Sequence, residues 1–185
     1  VQITLVGGCL SAGDCSAPQG QCDTGTGLCV SCLVAAHCPA GAMCTDKACT
    51  LAAPVITAPT ANSKLNVRRP PISGTAVAGA TVTVRVDGAV VGTTMAGNDG
   101  SWTITPGADL ALGTHTATAN AQVGTAPSIV TSAGSTAIGF EIVMGCLANA
   151  DCRGATPVCD PVDNMCARCL VSTDCPGSAT CTPSQ

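Results

Sequence analysis

The sequence predicts an all-β protein. One antiparallel sandwich of about seven strands fills the middle, and a small disulfide-rich module with little regular secondary structure flanks it on either side. Three observations carry this expectation. The 15 cysteines fall into two clusters, at positions 9, 15, 22, 29, 32, 38, 44 and 49 and at 146, 152, 159, 166, 169, 175 and 181. Between them, residues 53–143 hold no Cys and alternate apolar with polar side chains in short runs, the period of a half-buried strand. No stretch keeps a helical period over three turns.

Composition sets the limits. Hydrophobic residues make up 46% of the 185, but Ala and Cys supply about half of them, with one Trp, one Phe and no Tyr. So little bulk cannot fill one large core, and stability must come from several small modules and from cross-links. The net charge is -4, the only lysines are Lys47 and Lys64, and no basic run exceeds Arg68-Arg69, which argues against nucleic acid as a partner. No apolar run approaches the roughly 18 residues of a membrane span. Many cysteines beside two histidines point to an oxidising compartment, extracellular or at the cell surface. With Val1 in first place, the chain is expected to follow processing or to be a window on something longer.

Taken in order, residues 1–8 read as the last strand of a preceding module and 9–52 as a cysteine-rich module. Residues 53–144 read as the sandwich and 145–185 as a second cysteine-rich module. A repeat fixes this division. Each cysteine of the second cluster lies 137 residues after one in the first, without an insertion, and the same offset lays Ile138–Met144 on Val1–Gly7 and Gly145 on Gly8. The counterpart of Cys49 would be position 186, so the second module stops one residue short of its eighth cysteine. A tandem array is the simplest account.

Within the sandwich, Thr81–Val86 alternates, Asp87-Gly88 supplies a tight turn and Ala89–Met95 returns. Asn98-Asp99-Gly100 turns the chain into Ser101–Thr105, and Leu112-Gly113 leads into Thr114–Ala119. Val55–Thr57 and Pro71–Gly74 open the block and Ala137–Val143 closes it. The predicted core includes Trp102, Ile104, Val82, Val84, Val86 and Ile142.

The segments Pro71–Ala76, Gly79–Val84, Asp87-Gly88, Gly92-Thr93, Gly100–Thr103, Leu112–His115 and Phe140–Val143 together resemble the bacterial immunoglobulin-like repeats of large surface adhesins and stalk proteins. The resemblance implies an immunoglobulin-like sandwich in an extracellular array. Members of that family often bind calcium at acidic linkers, whereas Ala53-Pro54 and Gly145 offer no carboxylates, so calcium binding does not carry over. Asp14-Cys15, Cys22-Asp23 and Cys38-Pro39, with Asp151-Cys152, Cys159-Asp160 and Cys175-Pro176, resemble the short disulfide modules of myxobacterial surface proteins.

Each full cluster divides into two four-cysteine units, and a unit of about 20 residues is held by covalent links rather than a core. Eight cysteines allow 105 pairings, and spacing alone does not choose among them. Interleaved closure, first with third and second with fourth, is favoured because it constrains more chain than adjacent loops. It joins Cys9 with Cys22, Cys15 with Cys29, Cys32 with Cys44 and Cys38 with Cys49. In the second module it joins Cys146 with Cys159, Cys152 with Cys166 and Cys169 with Cys181, leaving Cys175 unpaired. Adjacent pairing would leave Cys181 instead. A four-cysteine zinc site normally unites two close pairs, and each cluster has one, Cys29/Cys32 or Cys166/Cys169, so metal is the weaker reading.

Other candidates give no chemistry. His115 in a strand and His37 in a cysteine loop have no second His or acid in register, so packing or surface roles are expected. Asp151, Asp160, Asp163 and Asp174 read as loop and turn acids. Neither a nucleophile motif nor a phosphate loop appears. The expectation is a non-enzymatic segment of a surface stalk, fibre or adhesin shaft, with no cofactor or metal and with neighbouring copies as partners. Two alternatives stand beside it: a filament subunit that uses residues 1–6 for strand addition, and an adhesin module that binds a receptor or ligand through a loop end.

Overall fold

The computed structural model describes residues 8–152, 156, 158–160, 162, 165–167 and 170. The expected strand at 1–6 lies outside them, and so do Cys169, Cys175 and Cys181.

The first module contains two hairpins, β1 (Gln21–Asp23) with β2 (Leu28–Val30) and β3 (Met43–Thr45) with β4 (Ala48–Thr50). The sandwich follows with β5 (Val55–Ala58), β6 (Ser63–Leu65), β7 (Ile72–Thr75), β8 (Thr81–Val86), β9 (Ala89–Met95), β10 (Ser101–Ile104), β11 (Gly113–Val123), β12 (Val130–Thr131) and β13 (Ile138–Ile142). In the second module β14 (Val158–Cys159) pairs with β15 (Cys166–Ala167). Helix is confined, among the described residues, to three single 3-10 turns.

One sheet has the order β10-β7-β5 and the other β6-β13-β11-β8-β9, with β12 beside β11. All neighbours are antiparallel except β6, which runs parallel to β13. The seven predicted strands are β5, β7, β8, β9, β10, β11 and β13. The β8–β9 turn places Asp87 and Gly88 at φ 51° and 82°, the left-handed pair that a two-residue hairpin needs to match strand twist.

Alternation sets the core. Val82, Val84 and Val86 all point inward from β8, and the predicted Trp102, Ile104 and Ile142 are buried with them. From β11 the inward side chains are His115, Ala117, Ala119, Ala121 and Val123. Three alanines on the longest strand supply little bulk, which Trp102 and Phe140 provide from other strands of the same cluster. Trp102 stands opposite Gly74, where a Cβ would come within 2.6 Å of its Cζ2 and 1.9 Å of the Val55 carbonyl oxygen. Only glycine therefore lets β5 and the indole approach β7 so closely.

The chain between β12 and β13 keeps its bonds to β11 by an irregular route. The Ser132 N–H donates to the Ala121 carbonyl at 2.8 Å, and its hydroxyl accepts the Ala121 N–H at 2.9 Å. Ser135 repeats the arrangement on Ala119 at 2.7 and 3.0 Å. Each serine Oγ thus occupies the place of a strand carbonyl, so two deeply buried residues keep both backbone partners without a regular ladder.

Candidate functional site: the disulfide units and their joints to the sandwich

The structure joins Cys9 to Cys22, Cys15 to Cys29, Cys32 to Cys44, Cys38 to Cys49, Cys146 to Cys159 and Cys152 to Cys166. The expected Cys169–Cys181 bond and the unpaired Cys175 lie outside the described residues. Little regular structure was expected of these modules, yet each described unit is built to one plan, a 3-10 turn followed by a short hairpin. The turns are Ala12–Asp14, Ala35–His37 and Asn149–Asp151, each directly before a cysteine. Within the hairpins, Cys22 faces Cys29, Cys44 faces Cys49 and Cys159 faces Cys166. Each member of such a pair is bonded backwards to the segment before the hairpin rather than across it. Two parallel staples hold the hairpin to its own turn.

A side chain at the end of each turn secures it. Asp14 Oδ2 accepts the N–H of Leu10 at 2.9 Å and of Ser11 at 2.8 Å, and Asp151 Oδ2 accepts those of Leu147 at 2.8 Å and Ala148 at 3.1 Å. His37 Nδ1 takes the same place and accepts the Leu33 N–H at 3.2 Å. These backbone bonds hold the carboxyls of Asp14 and Asp151 below the usual aspartate range. Asp160 caps its own turn by accepting the Val162 N–H at 2.8 Å. His37, Asp151 and Asp160 therefore have local structural roles, while Asp163 and Asp174 lie outside the described residues. An ion pair between Asp23 and Lys47 ties the two units of the first module together, and the hydrogen bond from Lys47 is the main cause that lowers the Asp23 pKa.

Three sulfur triplets, Cys9/Cys15/Cys29, Cys32/Cys38/Cys49 and Cys146/Cys152/Cys166, each lie within 4.8 Å. Every one of these sulfurs belongs to a disulfide, and zinc is ligated by thiolates. The closeness of the sulfurs follows from neighbouring staples and makes no metal site in the oxidised protein.

The first module is packed onto one end of the sandwich. Ala42 and Leu51 are buried in the same apolar cluster as Trp102 and Val84, with Cys38 and Val77 against it. A Cβ on Gly41 would meet Val77 Cγ1 at 2.4 Å, and Pro39 Cγ lies 2.9 Å from where a Cβ of Gly124 would be. A cleft of about 440 Å³ along this joint is lined by Pro39 and Ala40 on one side and by Ala78, Gly79, Met95 and Gly124 on the other. The module thus packs against parts of the β7–β8 and β11–β12 connections, while Gly97–Asp99 of the β9–β10 turn stay exposed.

At the other end, Arg69 Nε meets Asp109 Oδ1 at 2.8 Å and Arg68 Nε donates to the Leu110 carbonyl at 2.9 Å, fastening the β6–β7 and β10–β11 loops. The second module leaves from here, where Val143, Met144 and Gly145 line a cleft of about 200 Å³ with Asn66, Arg68 and Leu112.

His115 has the acid that its strand does not supply. Its Nδ1 lies 2.7 Å from Asp87 Oδ2 and its Nε2 2.9 Å from the Ala111 carbonyl, while Asp87 Oδ1 accepts the Thr116 N–H at 2.8 Å. Sequence spacing hid this because Asp87 arrives from the β8–β9 turn, 28 residues earlier. Two acceptors favour the doubly protonated ring. Burial pulls the His115 pKa down, but the bonds to Ala111 and Asp87 outweigh it and raise it. At Asp87 burial pushes upward and is outweighed by the bonds from His115 and Thr116, which lower the pKa.

The comparisons with known proteins address the sandwich. The family model for the bacterial Ig-like domain matches residues 45–134. The sandwich is Ig-like in its fold. No curated protein matches the chain. Among solved structures, the fibronectin(III)-like modules of Clostridium thermocellum CbhA are similar at 19% identity and a TM-score of 0.36, covering 49% of this chain and 96% of theirs. The family match begins at the end of β3 and stops before β13, whereas the Ig-like domain as folded draws its last strand from Ile138–Ile142. Ig-like domains of this kind are typical of extracellular repeat proteins and are generally structural.

Proposed function

We propose that the chain is a segment of an extracellular tandem-repeat protein whose work is mechanical, as a stalk, fibre or adhesin shaft, with neighbouring copies of the repeat as partners. The supporting observation is the joint in which Ala42 and Leu51 of the first module enter the apolar cluster of the Ig-like domain. A shared core makes module and domain one stiff unit rather than two beads on a linker. The same joint takes up part of the surface of the β7–β8 and β11–β12 connections, at Val77 and Gly124. The disulfide units protect the small connectors from unravelling and fit an oxidising location outside the cytosol. No helix among the described residues is long and apolar enough to cross a membrane.

The test is immunogold electron microscopy with antibodies to the Ig-like domain. Labelling at intervals along fibres on intact cells is expected. Label confined to fibre tips would favour the receptor-binding reading, and label only in permeabilised cells would overturn the extracellular one.

A further inference from the structure

We propose that His115 is a pH-operated latch on the loop between β10 and β11: with both ring nitrogens protonated it pins the Ala111 carbonyl, and on losing one proton it lets Ala111 and Leu112 go. The ring is 8% exposed and stands between two oxygen acceptors, with Asp87 Oδ2 at 2.7 Å from Nδ1 and the Ala111 carbonyl at 2.9 Å from Nε2. A doubly protonated imidazole donates to both, whereas a neutral one carries a single N–H and must turn a lone pair on one of them. The carboxylate keeps the remaining proton, because a bond to an ionised acceptor is about twice as strong as a neutral one. Asp87 is itself fixed by the Thr116 N–H at 2.8 Å, and its lowered pKa leaves it ionised while the ring titrates. The contact that opens is therefore Nε2 with Ala111, where two lone pairs would face each other.

The other fastenings of this loop come one step earlier. The Leu110 N–H donates to the Arg68 carbonyl and Arg68 Nε to the Leu110 carbonyl, both at 2.9 Å, and Arg69 holds Asp109. The next hold on the chain is the imidazole, at Ala111, two residues before β11 begins at Gly113. Leu112 is 47% exposed and walls the cleft of about 200 Å³ that it shares with Val143, Met144 and Gly145, the stretch leading into the second disulfide module. Protonation of His115 thus governs how firmly the Ig-like domain is closed at the end from which that module leaves. The other charged groups around the ring have partners of their own. Glu141 of β13 shares a recess of about 240 Å³ with His115 and is paired with Lys64 of β6 at 3.8 Å. Arg85 of β8 donates to Asn120 at 2.6 Å, and Asp109 of the loop is taken up by Arg68 and Arg69. Burial opposes the charged ring, but the bonds to Ala111 and Asp87 raise its pKa, so the latch opens on the alkaline side of about pH 6.5.

The test is nuclear magnetic resonance of the oxidised 185-residue chain from about pH 5 to about pH 9. Ring nitrogen shifts of His115 are expected to show both nitrogens protonated at the acid end and Nδ1 alone at the alkaline end. Backbone order parameters of Ala111 and Leu112 should fall with the same midpoint, from about 0.85 to below about 0.6, while that of Leu110, held by Arg68, stays constant. Asp87→Asn should move both midpoints together to lower pH. A neutral ring that keeps its proton on Nε2 would overturn the latch. So would order parameters at Ala111 and Leu112 that stay constant through the titration of the ring, or ring and loop midpoints that move apart in Asp87→Asn.

Discussion

Trp102→Ala tests whether the Ig-like domain is held by one large side chain set among small ones. The indole is 4% exposed, and a buried Trp removes about 150–250 Å² from water. At about 25 cal/mol per Å² that is roughly 4–6 kcal/mol. Against it stands Nε1, buried without a hydrogen-bond partner among the described residues, a burden of about 1–3 kcal/mol that truncation removes. The net loss should be about 3 kcal/mol, a fall in Tm of roughly 12–24 °C for a domain of this size. Urea and thermal unfolding of the oxidised protein followed by far-UV circular dichroism would read it, since the variant lacks the fluorophore. Trp102→Phe keeps most of the ring and removes the orphan donor, so it should lose less than about 1.5 kcal/mol. A loss below about 1 kcal/mol for the Ala variant, or equal losses for both, would refute the reasoning.

Ser132→Ala and Ser135→Ala should each cost about 1–3 kcal/mol, by stranding the buried N–H of Ala121 or Ala119. Faster hydrogen exchange at that one amide would mark the cause. His115 has a raised pKa, so its contribution should be complete below about pH 6.5 and fade as pH rises through the folded value; Asp87, lowered, should lose its contribution only as pH falls below about 3.8. Urea midpoints compared at pH 5.5 and 8.5 should therefore show the wild type losing more than His115→Gln over that interval. Peptide mapping of the oxidised chain is expected to join Cys169 to Cys181 and to leave a thiol for alkylation at Cys175. Alkylation at Cys181 instead would favour adjacent closure in that unit.

Alternation made β8, β10 and the start of β11 legible, because each buries every second side chain over at least four residues. The Asp87-Gly88 turn was legible because few other pairs adopt two successive positive φ angles. Strand β6 was not, since Ser63-Lys64-Leu65 is too short to show a period and pairs with residues nearly 80 positions later. Ser132 and Ser135 were hidden for a different reason: a hydroxyl substituting for a carbonyl leaves no pattern in hydropathy. At the candidate site, the cysteine repeat displayed the modules, but not the hairpins inside them, whose strands of two or three residues are held by bonds to the preceding turn. The joint was invisible as well, because Ala42 and Leu51 become core residues only once two modules meet.

The interleaved staples also determine how far the first module lengthens when its ends are pulled. A tension entering at Cys9 runs to Cys15, crosses to Cys29, continues to Cys32, crosses to Cys44 and leaves at Cys49. That route spans only about 14 peptide units, roughly 50 Å of backbone, where the same segment without bonds would reach about 140 Å. Most of the module's contour is therefore withheld from load as long as the sulfurs stay oxidised. Reduction would release that slack within the module, turning a nearly inextensible segment into a compliant one up to the point where Ala42 and Leu51 leave the core of the Ig-like domain.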